Sequence, residues 1–233
     1  MEEIKLLCFS HAGGSATKFL PWKSYFKKKG IEIIPVELSG RGLRMDEDLT
    51  NDIESIVQDL FQKVKDIVKN YKYAVIGHSM GCLIMYELCD YIISQGYPGP
   101  VHIFASGKEA PHVKEKKFIS DLNDEKFLNE IYSAGGTEEE ILTDEDIKKI
   151  FLPILRNDYT LVEEYKIKRV RRFDCGITVL NGNQDTIPED DLFGWSLYAN
   201  KEFNIVNFDG GHFFLYDYPE RVAQIINDRT KLT

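Results

Sequence analysis

The stretch "YAVIGHSMGCLIMYE", residues 73–87, decides the fold of this chain. It begins with an apolar run typical of a buried strand, passes through Gly77-His78-Ser79-Met80-Gly81, and continues in a pattern typical of a helix. A serine between two glycines at a strand-to-helix turn is the pattern of a nucleophile elbow. Because this turn is very tight, we expect a Cβ atom at Gly77 or Gly81 to collide with the neighbouring strand or helix.

Ser79 is the candidate nucleophile of this turn. An elbow lifts the serine hydroxyl above the carboxyl ends of the strands, at the N-terminus of the next helix. There, backbone N–H groups and the helix dipole can stabilise a developing oxyanion. A tight glycine turn with an idle serine is the alternative interpretation of the pentapeptide alone. We expect His78, inside the motif, to pack rather than to act in catalysis.

Two further candidates follow later strands, in the order serine, acid, histidine that an elbow of this kind predicts. Asp185 comes after "ITVLNG", and His212 lies in "DGGHFFL" after "FNIVNF". Asp209 is a competing acid, but it lies on the same short loop as His212, so we rank it below Asp185. A lone loop histidine is more often a surface residue. Together, the three positions predict a catalytic triad of Ser79, Asp185 and His212.

The loop after the first predicted strand, "FSHAGGSA" (residues 9–16), is the expected source of a second oxyanion donor. Gly13 and Gly14 allow its backbone to approach a ligand closely. We therefore predict that the N–H groups of Ala12 and Met80 form an oxyanion hole. A plain turn at the end of a strand is the alternative.

Outward from the elbow, strand and helix patterns alternate. Residues 51–71, Met80–Gln95 and the segment from about Pro219 have helical patterns, and "FLPWKSYFKKKG" is predicted to be a helix that ends at Gly30. This alternation predicts an α/β fold with a mostly parallel sheet between layers of helices. The predicted strands are 4–9, 31–36, 73–77, 101–106, 176–182 and 203–208.

The alternation stops near Gly107 and resumes near Gly176. Residues 108–173 are polar with helical spacing, so we predict a helical lid inserted into a single domain whose core comprises 1–107 and 174–233. The apolar residues of the insertion could line a pocket or pack the lid onto the core, and we favour packing for most of them. They include Phe127, Ile131, Leu152 and Leu155.

Composition excludes several classes of function. A net charge of -9 and a pI near 5.2 argue against nucleic-acid binding, which needs a basic face. No stretch approaches the length of a membrane span, and the acidic residues near Met1 do not fit a signal peptide, so we expect a cytoplasmic protein. No His/Cys cluster suggests a metal or other cofactor. The cysteines lack CxxC spacing and are expected to be buried and reduced: Cys8, Cys82, Cys89 and Cys175.

With these residues identified, the sequence resembles the type II thioesterases that accompany nonribosomal peptide and polyketide synthetases, within the α/β-hydrolase superfamily. One departure is Ser39-Gly40-Arg41, where many members have Pro-Gly-Arg, and it concerns a loop rather than the triad. The resemblance extends over nearly the whole chain, in blocks that follow the family's order: "FSHAGGSA", "GRG" (40–42), "GHSMG", "PILRNDYTLVEEY", "LNGNQD" and "FDGGHFFL".

The resemblance implies hydrolysis of acyl or aminoacyl thioesters on the phosphopantetheine arm of carrier proteins. It implies Ser79 as nucleophile, Asp185 as acid and His212 as base, with no cofactor and with an acyl or peptidyl carrier protein as partner. A monomer is our default expectation. Two rivals remain: a small-molecule carboxylesterase with the same triad, and a non-catalytic binding protein that keeps the fold.

A basic segment, residues 166–173 ("KIKRVRRF"), stands out in this acidic chain. We hypothesise that it docks an acidic carrier protein or the pantetheine phosphate. A solvated basic face is the alternative and is the commoner situation for a run of charges. The charged residues of the segment are Lys166, Lys168, Arg169, Arg171 and Arg172.

Overall fold

The computed structural model describes residues 3–26, 30–133, 135 and 143–230. Within these ranges, six strands form one sheet in the order β2-β1-β3-β4-β5-β6, and every neighbouring pair is parallel. Their carboxyl ends therefore lie along one edge, where α/β sheets place their sites. The strands are β1 Ile4–Phe9, β2 Ile31–Pro35, β3 Lys72–His78, β4 His102–Ser106, β5 Gly176–Gly182 and β6 Phe203–Phe208.

The central strands are mostly apolar because both faces of the sheet are covered. Every residue of β1, β4 and β5 is buried, and β3 is buried from Tyr73 onward. Neighbouring residues of a strand serve opposite faces, so Leu7 packs into one core cluster and Leu6 into the other. The outer strands β2 and β6 are exposed or half-buried at several positions.

The helices lie on both sides of the sheet. Helix α2 buries one stripe of apolar residues, and its N-cap Asp52 accepts a hydrogen bond of 2.9 Å from the N–H of Ser55. Helix α3 is buried along most of its length beside α2. The helices are α1 Lys23–Phe26, α2 Ile53–Asn70, α3 Met80–Ser94, α4 Asp124–Ser133, α5 Glu145–Glu164, α6 Glu189–Phe193, α7 Phe214–Asp217 and α8 Pro219–Thr230.

The prediction of one helix over "FLPWKSYFKKKG" is wrong for its first part. Residues Ala16–Trp22 form a 3₁₀ segment, and only the four residues of α1 are α-helical before residues 27–29, which lie outside the described ranges. Pro21 cannot donate an α-helical hydrogen bond. Phe19 and Trp22, three positions apart, are both buried, which suits the three-residue repeat of a 3₁₀ turn.

The segment between β4 and β5 carries α4 and α5. These two helices share a small apolar cluster of their own, separate from the two large clusters that cover the sheet. Phe127, Ile131 and Leu155 are buried in this cluster, and Leu152 packs against it. Most of the apolar residues singled out in the insertion therefore pack, but against one another rather than onto the main core.

Candidate active site

The turn between β3 and α3 has the conformation of an elbow. Ser79 has φ 53° and ψ -122°, and among the described residues it is the only one other than glycine with a positive φ. A non-glycine residue in this region costs about 1–3 kcal/mol and persists only where the surrounding structure enforces it. Such strain marks Ser79 as a candidate for function.

The two glycines of the elbow are required by close backbone contacts. A Cβ atom on Gly77 would lie 2.5 Å from the carbonyl oxygen of Gly81, and one on Gly81 would lie 2.5 Å from the carbonyl oxygen of Phe9. The colliding atoms belong to the backbone of α3 and β1, so they cannot rotate away. The steric prediction made from the sequence is confirmed at both positions.

Asp185 and His212 meet beyond the ends of β5 and β6. Nδ1 of His212 lies 2.7 Å from Oδ2 of Asp185, while Oδ1 of Asp185 accepts a hydrogen bond of 2.8 Å from the N–H of Thr186. Asp209, the competing acid, instead accepts a hydrogen bond of 2.9 Å from Asn183. A proton on Nδ1, donated to Asp185, leaves Nε2 of His212 available as a base.

Ser79 and His212 line the same cavity. Ser79 is half-buried, and its hydroxyl makes no hydrogen bond with another residue in the described ranges. Hydrogen bonds between a nucleophile and its base often tighten only when substrate binds. The structure thus brings the three residues of the predicted triad to one site, with the acid and the histidine already hydrogen-bonded.

His78 is fully buried beneath the site, as the sequence analysis expects. Its ring centroid lies 5.1 Å from that of His212, and its Nδ1 lies 3.0 Å from Oγ of Ser106. Burial lowers the pKa of His78 well below its usual value, and the neighbouring His212 and His11 lower it further. A neutral His78 places no competing positive charge next to His212.

His11 is a neighbour of the site that the sequence analysis missed. Burial, and to a lesser degree Lys18, His212 and Arg41, lower the pKa of His11 to about 3. Its Nδ1 lies 3.0 Å from the hydroxyl of Tyr216. A second neutral imidazole therefore lines the same cavity as His212.

The two predicted oxyanion donors lie at suitable places in the chain. Met80 is the first residue of α3, so its N–H is among the donors that have no acceptor within the helix. Ala12 follows β1 and lines the same cavity as Ser79. The neighbouring N–H of Gly13 is not available to a ligand, because it donates a 2.7 Å hydrogen bond to Oδ2 of Asp158.

The cavity has a volume of about 790 Å³ and is lined from two sides. The sheet side contributes the candidate catalytic residues, and the insertion contributes apolar side chains. Lys108 lies in the wall with Glu109 and Glu115, and its ammonium pairs with both carboxylates. The apolar residues from the insertion include Ile131, Ile147, Phe151, Leu155 and Val162.

A family model described as "Thioesterase domain" matches residues 4–230, nearly the entire chain. The chain belongs to the thioesterase family. This thioesterase is 35% identical over 232 residues to the gramicidin S biosynthesis protein GrsT of Aneurinibacillus migulanus, covering 99% of this chain and 90% of that protein. The resemblance stated from the sequence is confirmed.

Solved structures of similar proteins have the same architecture. ClbQ from the colibactin NRPS/PKS pathway matches the thioesterase with a TM-score of 0.92 and 30% identity, over 98% of this chain and 97% of that one. The type II thioesterase BorB from the borrelidin biosynthetic cluster matches with a TM-score of 0.87 and 28% identity, over 98% and 93% of the two chains. The predicted α/β-hydrolase fold is confirmed.

Most charges of the basic segment in this thioesterase are already bonded. Lys168 pairs with Glu54, and Arg169 and Arg171 share the carboxylate of Asp90. Arg172 donates a hydrogen bond of 3.0 Å to the carbonyl oxygen of Ala199. The segment is therefore tied to α2, α3 and the loop after α6, and much of its positive charge is compensated within the chain.

All four cysteines are buried and unpaired. Among the described residues, no helix combines the length and the apolar character needed to cross a bilayer.

Arg41 and Asp158, neither of which was predicted from the sequence as part of a site, form a buried ion pair. Both nitrogens of the Arg41 guanidinium end contact the carboxylate of Asp158, and both side chains are almost fully buried. The two residues lie in the blocks "GRG" and "PILRNDYTLVEEY", so the resemblance offered a signal that each matters. The resemblance gave no signal that Arg41 and Asp158 contact each other.

Proposed function

We propose that this thioesterase hydrolyses acyl or aminoacyl thioesters on the phosphopantetheine arm of carrier proteins, and so clears blocked nonribosomal peptide or polyketide synthetases. The observation that carries the proposal is the strained Ser79 facing one cavity with the hydrogen-bonded pair of His212 and Asp185. The relatives named for gramicidin S biosynthesis and for the colibactin NRPS/PKS pathway support the substrate class.

In the proposed first step, Nε2 of His212 takes the proton of Ser79 as Oγ attacks the thioester carbonyl carbon. Asp185 keeps the imidazole in the required tautomer and stabilises the imidazolium that forms. The tetrahedral intermediate collapses as the carbon–sulfur bond breaks, and the imidazolium returns its proton to the departing pantetheine thiolate. The products are an acyl-Ser79 ester and a free-thiol carrier.

In the second step, His212 takes a proton from water, whose oxygen attacks the acyl-Ser79 carbonyl carbon. Collapse of this intermediate returns the proton to Oγ of Ser79 and releases the carboxylic acid. The N–H groups of Met80 and Ala12 are the proposed donors to both oxyanions. Serine, histidine, aspartate and water supply every proton and bond of the cycle, so the proposed reaction needs no cofactor.

The insertion at residues 108–173 is proposed to act as a lid. Its apolar side chains line the same cavity as Ser79, and a cavity of about 790 Å³ is within the range of sites that enclose most of a small ligand. The acyl chain would then lie under α4 and α5, away from water.

The proposed partner is an acyl or peptidyl carrier protein, and the proposed compartment is the cytoplasm. The four unpaired buried cysteines support a reducing compartment. Residues 166–173 offer weak support as a carrier-docking surface, because Asp90 and Glu54 already compensate much of their charge. Unchanged kcat/KM on a loaded carrier after charge reversal at Arg169, Arg171 and Arg172 would remove that docking idea.

Intact-mass spectrometry of an acetyl- or aminoacyl-loaded peptidyl carrier protein tests the proposal. The wild type should return the carrier to its free-thiol form rapidly, Ser79→Ala should not, and a p-nitrophenyl ester should turn over slowly. An untouched carrier beside rapid ester hydrolysis would favour a carboxylesterase. Inactivity on both substrates, with Ser79 unlabelled by a fluorophosphonate, would favour a non-catalytic binding protein.

A further inference from the structure

The carboxylate of Asp158, on α5, joins three separate parts of the chain. Its Oδ2 accepts from the N–H of Gly13 at 2.7 Å and from Nη1 of Arg41, and its Oδ1 accepts from Nη2 of Arg41 at 2.7 Å. The Asp158 side chain is 1% exposed and that of Arg41 is 4% exposed. A buried carboxylate with a bidentate guanidinium and a backbone donor is held in one geometry.

Among the described residues, Asp158 is the only hydrogen-bond partner of the Arg41 guanidinium. Its Nε is buried without a hydrogen-bond partner, and its two remaining nitrogens both contact the same carboxylate. The guanidinium therefore fixes the position of the Asp158 carboxylate. The fixed carboxylate in turn can hold the N–H of Gly13.

The two peptide units that meet at Ala12 are both held. The carbonyl of His11, which shares a trans peptide unit with the N–H of Ala12, accepts a 3.0 Å hydrogen bond from the N–H of Gly14. The Ala12 N–H therefore points away from that turn. The next peptide unit carries the N–H of Gly13, whose acceptor is Asp158. One restraint comes from within the loop, and the other comes from α5.

Helix α5 also packs directly onto this loop. A Cβ atom on Gly13 would lie 2.3 Å from Cδ2 of Leu155, and Gly13 has a φ of 75°. Leu155 and Asp158 are three residues apart and lie on one face of α5. A single helix face therefore contacts Gly13 through both an apolar side chain and a hydrogen bond.

We propose that Asp158 is a positioning residue that holds the Ala12 N–H in place as an oxyanion donor, and this inference rests on the proposed hydrolysis through Ser79. An oxyanion donor is effective when it is aimed before the reaction begins. Because one of the two restraints on Ala12 comes from the insertion, the oxyanion site is complete only when α5 is seated on the loop.

The test compares the full-length wild type with Asp158→Asn and with Arg41→Leu/Asp158→Leu. The double variant leaves no unpaired buried charge, and apolar replacement of a buried ion pair is often tolerated. The double variant therefore keeps the test valid if Asp158→Asn fails to fold. Thermal unfolding and circular dichroism check the fold of each variant. The matched control is Arg156→Ala, which removes the hydrogen bonds from the same helix to the carbonyl oxygens of Ser120 and Leu122 but leaves the partners of Asp158 in place.

Two readouts distinguish positioning from general loosening. We expect kcat on a loaded carrier to fall by about 10- to 100-fold in the folded Asp158 variants, less than or equal to the loss of a whole oxyanion donor, with KM changed by less than about threefold. Affinity for phenylboronic acid, which forms a tetrahedral adduct on the catalytic serine, should fall by a similar factor. Arg156→Ala should retain both values.

Unchanged kcat and boronate affinity in a folded Asp158 variant would overturn the inference. An equal loss in Arg156→Ala would also overturn it, because the effect would then come from a looser α5. If the wild type leaves every loaded carrier intact, the proposed function fails. The boronate comparison, which needs only Ser79 and the oxyanion donors, still decides the role of Asp158.

Discussion

The 2.7 Å contact between Nδ1 of His212 and Oδ2 of Asp185 governs the tautomer on which the proposed proton transfer depends. In Asp185→Asn, an amide can present its NH₂ group to Nδ1 and so place the histidine proton on the wrong nitrogen. We expect kcat on a loaded carrier to fall by about 10⁴-fold with the fold intact, the size of loss known for the same change in a serine-protease triad.

Asp209→Asn is the matched control, because its side chain bonds Asn183 rather than His212. Its kcat should stay within about twofold of the wild type, since an amide oxygen can still accept from Asn183. If Asp185→Asn retained more than about a tenth of the wild-type kcat, Asp185 would not be the acid of the triad.

The backbone around Gly81 leaves no room for a side chain. In Gly81→Ala, the new methyl group would lie 2.5 Å from the carbonyl oxygen of Phe9 in β1, so the elbow or the strand must move. We expect a loss of about 1–3 kcal/mol in the free energy of unfolding, or more, measured by urea denaturation. Gly211→Ala has no atom within 4 Å of its new methyl group and should be nearly neutral. Equal stabilities of the two variants would contradict the steric account.

At the scale of elements, Ile147 on α5 allows the role of the insertion in substrate choice to be measured. It lines the cavity and is absent from the packed cluster of α4 and α5. Ile147→Trp should fill part of the cavity and lower kcat/KM for a decanoyl carrier about tenfold relative to an acetyl carrier, a difference of about 1.4 kcal/mol. Ile150→Trp, at a position that is 51% exposed on the same helix, should leave this ratio unchanged. An unchanged ratio in both variants would place the acyl chain elsewhere.

The inner strands were predictable because burial on both faces leaves mostly apolar runs, and the outer strands because they are rich in β-branched residues. "IKLLCF", "GITVLNG" and "FNIVNF" match β1, β5 and β6 to the residue, and the other three strands differ only at their ends. The 3₁₀ segment Ala16–Trp22 was missed because its buried aromatic residues and Pro21 fit either helix type until the packing is known. The local sequence pattern is therefore enough to predict the strands, whereas the conformation of the short connections depends on tertiary packing.

The candidate site was predictable to the extent that parallel strands place their carboxyl ends together. Ser79, Asp185 and His212 each follow such an end, so their meeting follows from the strand order. The contact between Arg41 and Asp158 spans 117 residues and depends on how α5 lies across the sheet. No strand-end rule predicts that placement, which is why the sequence analysis named neither residue as part of a site.

At the scale of the whole molecule, buried neutral histidines make stability sensitive to acid. Burial lowers the pKa of His102 to about 4 and that of His11 to about 3, while an unfolded histidine has a pKa near 6.5. Between these values the unfolded chain binds more protons than the folded one, so the free energy of unfolding decreases as pH falls below about 6.5. Each such histidine contributes up to about 1.4 kcal/mol per pH unit.

His102→Gln isolates one of these contributions away from the candidate site. Its amide can still bond Thr178, whose hydroxyl lies 2.9 Å from Nε2 of His102. Urea denaturation at pH 7, 6 and 5 should give a shallower decrease in the free energy of unfolding for this variant than for the wild type. Parallel curves for the two proteins would show that His102 is not buried neutral in solution.

The left-handed backbone of Ser79 places activity and stability in opposition. Its φ of 53° and ψ of -122° match the first central residue of a type II′ turn, a position that glycine favours. Ser79→Gly and Ser79→Ala should both be inactive. In thermal unfolding, the glycine variant should nevertheless be more stable than the alanine variant by about 1 kcal/mol, because alanine must still adopt the strained conformation. Selection for a more robust scaffold would therefore tend to remove the residue that gives the molecule its chemistry.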